Sequence, residues 1–161
     1  MGRLDPGELG RRLDDILASG ERMIRAVPEA ALDPPLRDMA FRLFRLALGF
    51  ADGMDVGRFP EDWRLEPAPA DLLDGASVAR YGALVRGRLA GWFEGAGPRE
   101  FARVIAVHDG PQPGHELLER VTGAAAEQLR ALHDGLARRG LAPREPLLAA
   151  LDGLPAPARP W

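Results

Sequence analysis

Gln128 is the residue least in keeping with its surroundings. In HELLERVTGAAAEQLRAL (115–132) apolar residues recur at helical spacing, and Gln128 falls in the middle of that face. A buried amide needs hydrogen-bond partners, so it either bonds across a core or faces a polar pocket. Two arginines invite the same question. Arg42 lies at the edge of an apolar face beside Leu46, with Asp38 four residues earlier and in pairing reach. Arg88 lies on the flank of a face that carries Tyr81, Val85 and Trp92. A guanidinium turned inward is a bidentate partner for a carboxylate or another oxyanion. The other chemically capable residues are dispersed. His115 and His133 stand about five turns apart on one helix and cannot share an ion. His108-Asp109 is a pair beside a turn. Serine occurs only at Ser19 and Ser77, which suit surface and cap positions, so no Ser/His/Asp arrangement is credible. There is no cysteine, which excludes disulfides, thiolate metal sites and a thiol nucleophile.

Four amphipathic helices must position these groups. The first is expected from Pro6 to Val27, started by Asp5-Pro6 and stopped by Pro28. The second runs from Pro35 to Asp52. Its apolar residues, Phe41, Phe44 and Leu48 included, spread round much of the circumference, which predicts burial on more than one side. A long connector rich in proline follows, from Gly53 to Gly75. A loop of that length crosses the end of a bundle or covers a pocket, and Phe59 and Trp63 are the residues to fasten it. The third helix is expected from Ser77, as N-cap, to Gly95. FARVIAVHDG then reads as an extended segment without a strand partner, closed by the turn DGPQPG. The fourth helix runs from His115 to Arg139, with Gly140 beyond its end. Glu116, Glu119 and Arg120 near its start read as helix-end electrostatics. A short helix from Glu145 to Leu151 and a proline-rich tail complete the chain. The expected fold is all-α: a single-domain antiparallel four-helix bundle over 1–161, with a long helix 2–3 connector and a short C-terminal helix.

Composition narrows the classes of function. Apolar residues make up 46% and charged residues 28%, an ordinary globular balance. The net charge of -3 gives no electrostatic case for nucleic acid or an anionic membrane. No apolar run is long enough to span a bilayer, and the mixed charges of the first residues do not read as a signal peptide, so a cytoplasmic location is expected. All 21 basic residues are arginine. With abundant alanine, glycine and proline, this reads as the codon composition of a GC-rich bacterial genome. It makes any single arginine weak ground for a role.

DGPQPGHELLERVTGAAAEQLRAL resembles the last bundle helix of the DinB-like proteins, which commonly reads LHELLERTTWHSAQHTRQL. The match is close over His115–Arg120, at Thr122 and at Gln128–Arg130. DMAFRLFRLALGFAD resembles the family's first ligand helix. Tyr81-Gly82 and Trp92 sit where the family often has YG and W, and EPLLAALDGLPAPARPW resembles its closing segment. The resemblance covers most of the chain. It implies a bundle whose hallmark is a three-histidine metal site, one histidine from helix two and an i, i+4 pair from helix four. At those positions this chain carries Arg42, Ala124 and Gln128. Arginine has no lone pair to give, alanine has nothing, and glutamine offers one weak oxygen. The expectation is therefore no metal and no cofactor. In their place is a small organic ligand in the bundle, bound among Arg42, Gln128, Arg88, Tyr81, Trp92 and Ala124. Whether that ligand is also a substrate, for a metal-independent step, is left open. One alternative is a non-catalytic scaffold or regulatory protein that forms a homodimer through bundle faces. Another is the thiol-dependent S-transferase activity of family members.

Overall fold

The structure is a computed structural model and describes residues 5–60 and 67–141, with Leu151 and Leu154. It is mostly helical. Four long helices, α1 (Pro6–Ala26), α2 (Pro34–Val56), α3 (Gly75–Gly95) and α5 (Gly114–Arg138), carry the core. Between α3 and α5 lie a short helix α4 (Pro98–Ala102) and two paired strands, β1 (Val104–Ile105) and β2 (Gln112–Pro113). Among the described residues no helix is long and apolar enough to cross a membrane.

Local chemistry sets the helix ends. Asp5 accepts the Glu8 N–H at 2.8 Å and Pro6 opens α1. Asp33 does the same for α2, accepting the Leu36 N–H at 3.0 Å ahead of Pro34-Pro35. This helix runs four residues past the expected end at Asp52. Gly53 does not break it: a Cβ there would lie 3.0 Å from the Arg58 carbonyl oxygen, so this glycine admits the returning chain. The residue that ends α2 is Gly57, whose φ of 83° only glycine adopts cheaply. At α3 the N-cap is Asp74, not Ser77. Asp74 accepts the Ser77 N–H at 2.7 Å, and the Ser77 hydroxyl accepts the Asp74 N–H at 3.3 Å, which makes a capping box.

The stretch after α3 is also more ordered than an extended segment. Ile105 pairs antiparallel with Gln112 and Val104 with Pro113. On its other side Ala106 exchanges hydrogen bonds with Gly57 and Phe59 at 2.9 and 3.0 Å. FARVIAV thus has two partners, and DGPQPG is half turn and half strand. The expected C-terminal helix lies outside the described residues except for Leu151, which is buried in the core; Trp63 lies outside them too.

Contacts along the helices give their directions. Arg86 of α3 meets Asp14 of α1 while Phe93 meets Gly10, so α1 and α3 are antiparallel. Gly135 packs on Leu36 and Met39 and Gly114 on Met54, so α2 and α5 are antiparallel. Tyr81 meets Phe41 and Trp92 meets Phe50, so α2 and α3 run parallel. This differs from an all-antiparallel order and gives the long 57–74 connector its reason. A chain that leaves the end of one helix to enter a parallel neighbour must traverse the full helix length.

Candidate functional site

A hollow of about 570 Å³ lies between the N-terminal half of α1 and the C-terminal half of α3. Small residues line it on both sides, Gly7 and Gly10 on α1, Ala90 on α3 and Ala96 at the end of α3. Gly10 also sets the approach of the two helices, because a Cβ there would sit 2.9–3.1 Å from the Phe93 ring. Apolar groups form the floor: Leu89 and the rings of Phe93 and Phe101. Those rings belong to a larger cluster, with Trp92 edge-on to Phe50, Phe93 and Phe101 at centroid distances of 5.4, 5.2 and 5.4 Å.

Charge surrounds this floor. Asp14, Asp15 and Glu94 line the cleft, with Arg11. Arg11 is turned onto Glu8, with hydrogen bonds of 3.1 and 2.7 Å. Those bonds hold the Glu8 carboxyl below its usual range. Asp14 takes Arg86 in a bidentate pair at 2.9 and 3.1 Å, and Glu21 accepts from the same guanidinium at 3.1 Å. The Asp14 bonds above all, and the Glu21 bond after burial has opposed them, raise the Arg86 pKa above its ordinary value.

Phe101 also lines a second hollow of about 360 Å³, where α1, α4 and α5 meet. His115 and Glu119 enter it from α5, four residues apart and so on one helix face. The Phe101 carbonyl lies 3.3 Å from His115 Nδ1; a carbonyl only accepts, so Nδ1 carries the proton of that bond. A third hollow of about 440 Å³ is lined by His108 with Arg58, Phe59 and Ala106. His115 lines one hollow and His108 another, while His133 lies beside Asp134 at 3.8 Å.

The six residues singled out in the sequence fall in several places. The α2–α5 register sets Arg42 at about the level of Gln128, and both are half-buried; Ala124, one turn earlier on α5, is buried. Tyr81 stacks on Phe41 at 5.4 Å and meets Phe44 edge-on at 6.3 Å. Arg88 reaches outward to α2, where it pairs with Asp55 and lies 3.6 Å from Asp52. Trp92 alone of the six touches the floor of the α1–α3 cleft. Asp38 accepts the Ala68 N–H at 2.9 Å and so fastens the connector to α2.

Of the charged groups read as helix-end electrostatics, Glu119 and Arg120 are both buried, and Arg120 most completely. It is not a helix-end surface charge: it is 1% exposed. Asp109 accepts from its two Nη groups at 3.1 and 3.0 Å, and Gln112 Oε1 accepts from Nη1 at 2.9 Å. Gln112 is itself buried, and its Nε2 has no partner among the described residues. The cluster fastens the β1–β2 hairpin to α5. A signal was present in the sequence: Arg120 falls three residues after Leu117 and four before Ala124, on the apolar face.

The residues that the DinB-like resemblance would align with metal ligands do not fit a metal. Arg42 is a cation, Ala124 has no donor atom and Gln128 offers one amide oxygen, where a divalent transition metal asks for three or four strong donors. Among the described residues no group of three histidine, aspartate or glutamate side chains is placed to hold a metal ion. In comparisons with known proteins, no family model matches the chain and no curated protein matches it significantly.

Proposed function

We propose that the chain is a four-helix bundle of the DinB-like kind that binds a small organic molecule without the family's metal. Three features support the bundle assignment: four long helices, α2 and α3 parallel and joined by a long crossing connector, and Arg42 set level with Gln128 across the α2–α5 interface. The observation that carries the binding function is the α1–α3 cleft. Its 570 Å³ lies within the range of small-molecule sites, and it joins an apolar, partly aromatic floor to a few polar groups at its edge. Binding there needs no metal. The family's thiol-transfer chemistry does need one, and the donor set at Arg42, Ala124 and Gln128 does not supply it.

The test is a fragment screen observed on the amide spectrum of ¹⁵N-labelled protein. Ligands of the cleft shift the amides of Gly7, Gly10 and Phe93 together. Ala90→Phe places a ring in the cleft from an exposed helix position and abolishes those shifts without unfolding the chain. Hits that scatter over the surface, or that survive Ala90→Phe unchanged, would refute the proposal.

A further inference from the structure

We infer that the α1–α3 cleft selects an organic cation, a protonated amine or quaternary ammonium on an apolar body about the size of one ring. This rests on the cleft being the ligand site, and it adds the charge and shape of the ligand.

The first ground is the hydrogen-bonding character of the lining. Arg11 apart, its side chains offer only acceptors, the carboxylates of Asp14, Asp15 and Glu94. A ligand held by them must donate. Arg11 does not reverse this, because its guanidinium already lies on Glu8, which also accepts from Arg12 at 3.3 Å.

The second ground is charge. Around the cleft and the pairs that border it stand five carboxylates, Glu8, Asp14, Asp15, Glu21 and Glu94, against four guanidiniums, Arg11, Arg12, Arg25 and Arg86. Glu8 is taken by Arg11 and Arg12, Asp14 by Arg86, and Glu21 by Arg86 and Arg25. Asp15 and Glu94 are exposed, face the cleft from its two walls, and have no cationic partner among the described residues. A bound cation supplies the charge they lack. The N-terminal end of α1 does not make the cleft an anion site, since the Asp5 carboxylate already takes the Glu8 N–H and Glu8 adds a second carboxylate in the first turn.

The third ground is the floor. Leu89, Phe93 and Phe101 are apolar, whereas Asp15 and Glu94 of the same lining are charged and exposed, so the lining offers surface for an apolar body beside carboxylates for its charge. Lining and rim together thus match an apolar body with a positive end.

Three probes of one shape separate the possibilities: 3-phenylpropylammonium, 3-phenylpropan-1-ol and 3-phenylpropionate, each titrated into ¹⁵N-labelled protein at low salt. The cation is expected to bind at least about tenfold more tightly than the alcohol, with shifts at Gly7, Gly10 and Phe93, and the carboxylate most weakly. Asp15→Asn with Glu94→Gln, both at exposed positions, lowers the affinity for the cation about tenfold and leaves that for the alcohol unchanged. Raising the salt to about 1 M, where the Debye length is about 3 Å, removes most of the preference. If the alcohol or carboxylate binds as tightly as the cation and shifts the same amides, the cation selectivity is overturned while the ligand cleft stands. If the double variant keeps the full preference, the assignment to Asp15 and Glu94 is overturned. If none of the three probes moves those amides, both the cation and the ligand cleft fall.

Discussion

Asp109→Asn tests the buried Arg120 most directly. The guanidinium is 1% exposed, and among the described residues the Asp109 carboxylate bonds to both of its Nη groups. The substitution keeps the shape, removes the charge and replaces one of the two accepting oxygens by an amide NH2 that cannot accept. Stripping one member from a buried ion pair costs about 3–5 kcal/mol, because the other charge stays in a poorly polarisable interior. The Asp109 side chain is 33% exposed, so water relieves part of that cost, and a loss of about 2–3 kcal/mol is expected. At a urea dependence of about 2 kcal/mol per molar, the unfolding midpoint falls by about 1–1.5 M. Arg120→Met fills a similar volume without a charge to satisfy and costs less. Adding Asp109→Asn to Arg120→Met costs little more, so the cycle shows a coupling of about 2 kcal/mol. Urea melts of the four proteins, followed by circular dichroism, give the answer. A midpoint shift below about 0.5 M for Asp109→Asn, or simple additivity in the cycle, would mean that this carboxylate does not hold the guanidinium in place.

Other consequences are as concrete. On α3, Gly82→Ala forces a Cβ to 2.6–2.8 Å from the Phe44 ring and is expected to destabilise by about 1–3 kcal/mol, whereas Gly91→Ala meets nothing within 4 Å and is expected to stabilise by about 0.5–1 kcal/mol. Thermal melts that rank the two the other way would contradict the packing of α3 on α2. The Arg139 guanidinium, and after it the Leu36 N–H, hold the Asp33 carboxyl below its ordinary range. A carboxyl depressed in the folded state stabilises fully above its unfolded pKa of roughly 4, and that contribution fades as pH falls through the lower folded value. Asp33→Asn should therefore lower stability near neutrality and flatten the acid limb of a plot of urea midpoint against pH; an unchanged acid limb would rule this out. The DinB-like alignment predicts that Arg42→His, Ala124→His and Gln128→His together create a metal site. One equivalent of zinc should then raise the Tm of the triple variant and leave the parent unchanged, and a triple variant indifferent to zinc would remove the basis of that alignment.

What the sequence disclosed, and what it hid, follow from the forces involved. The helices were legible because each buries one stripe, and apolar residues such as Leu9, Leu13, Ile16 and Leu17 record that stripe directly. The start of α1 was legible because Asp5-Pro6 acts within one turn. The end of α2 was not, because Gly53 answers to Arg58 and Phe59 folding back on it, and composition cannot tell such a glycine from a helix stop. The pairing of Ile105 with Gln112 was hidden for a related reason. Gln112-Pro113 has none of the pattern of a strand, and the pairing is extended by main-chain bonds such as Gly114 N–H to the Arg103 carbonyl at 2.8 Å. Arg120 lay on the apolar face in plain view, but in a chain whose only basic side chain besides histidine is arginine the residue type carried little weight.

The cleft was the least legible feature, because small residues from distant parts of the chain line it. Gly7 and Gly10 of α1 lie far in sequence from Ala90 of α3 and Ala96 at its end, and the antiparallel contact of α1 with α3 brings them to one hollow. Its location also separates two questions that the family resemblance joins. The residues that the resemblance aligns with the DinB-like metal ligands, Arg42, Ala124 and Gln128, fall on α2 and α5, whereas the cleft belongs to α1 and α3, with Phe101 of α4 in its lining. A molecule bound in the cleft does not occupy the positions that the resemblance aligns with a metal site. Arg42 and Gln128 are half-buried at their own interface, and Tyr81 close by is packed on Phe41 and Phe44. The histidine variants therefore probe ancestry at one interface and the cation titration probes binding at another, so that either result leaves the other question intact.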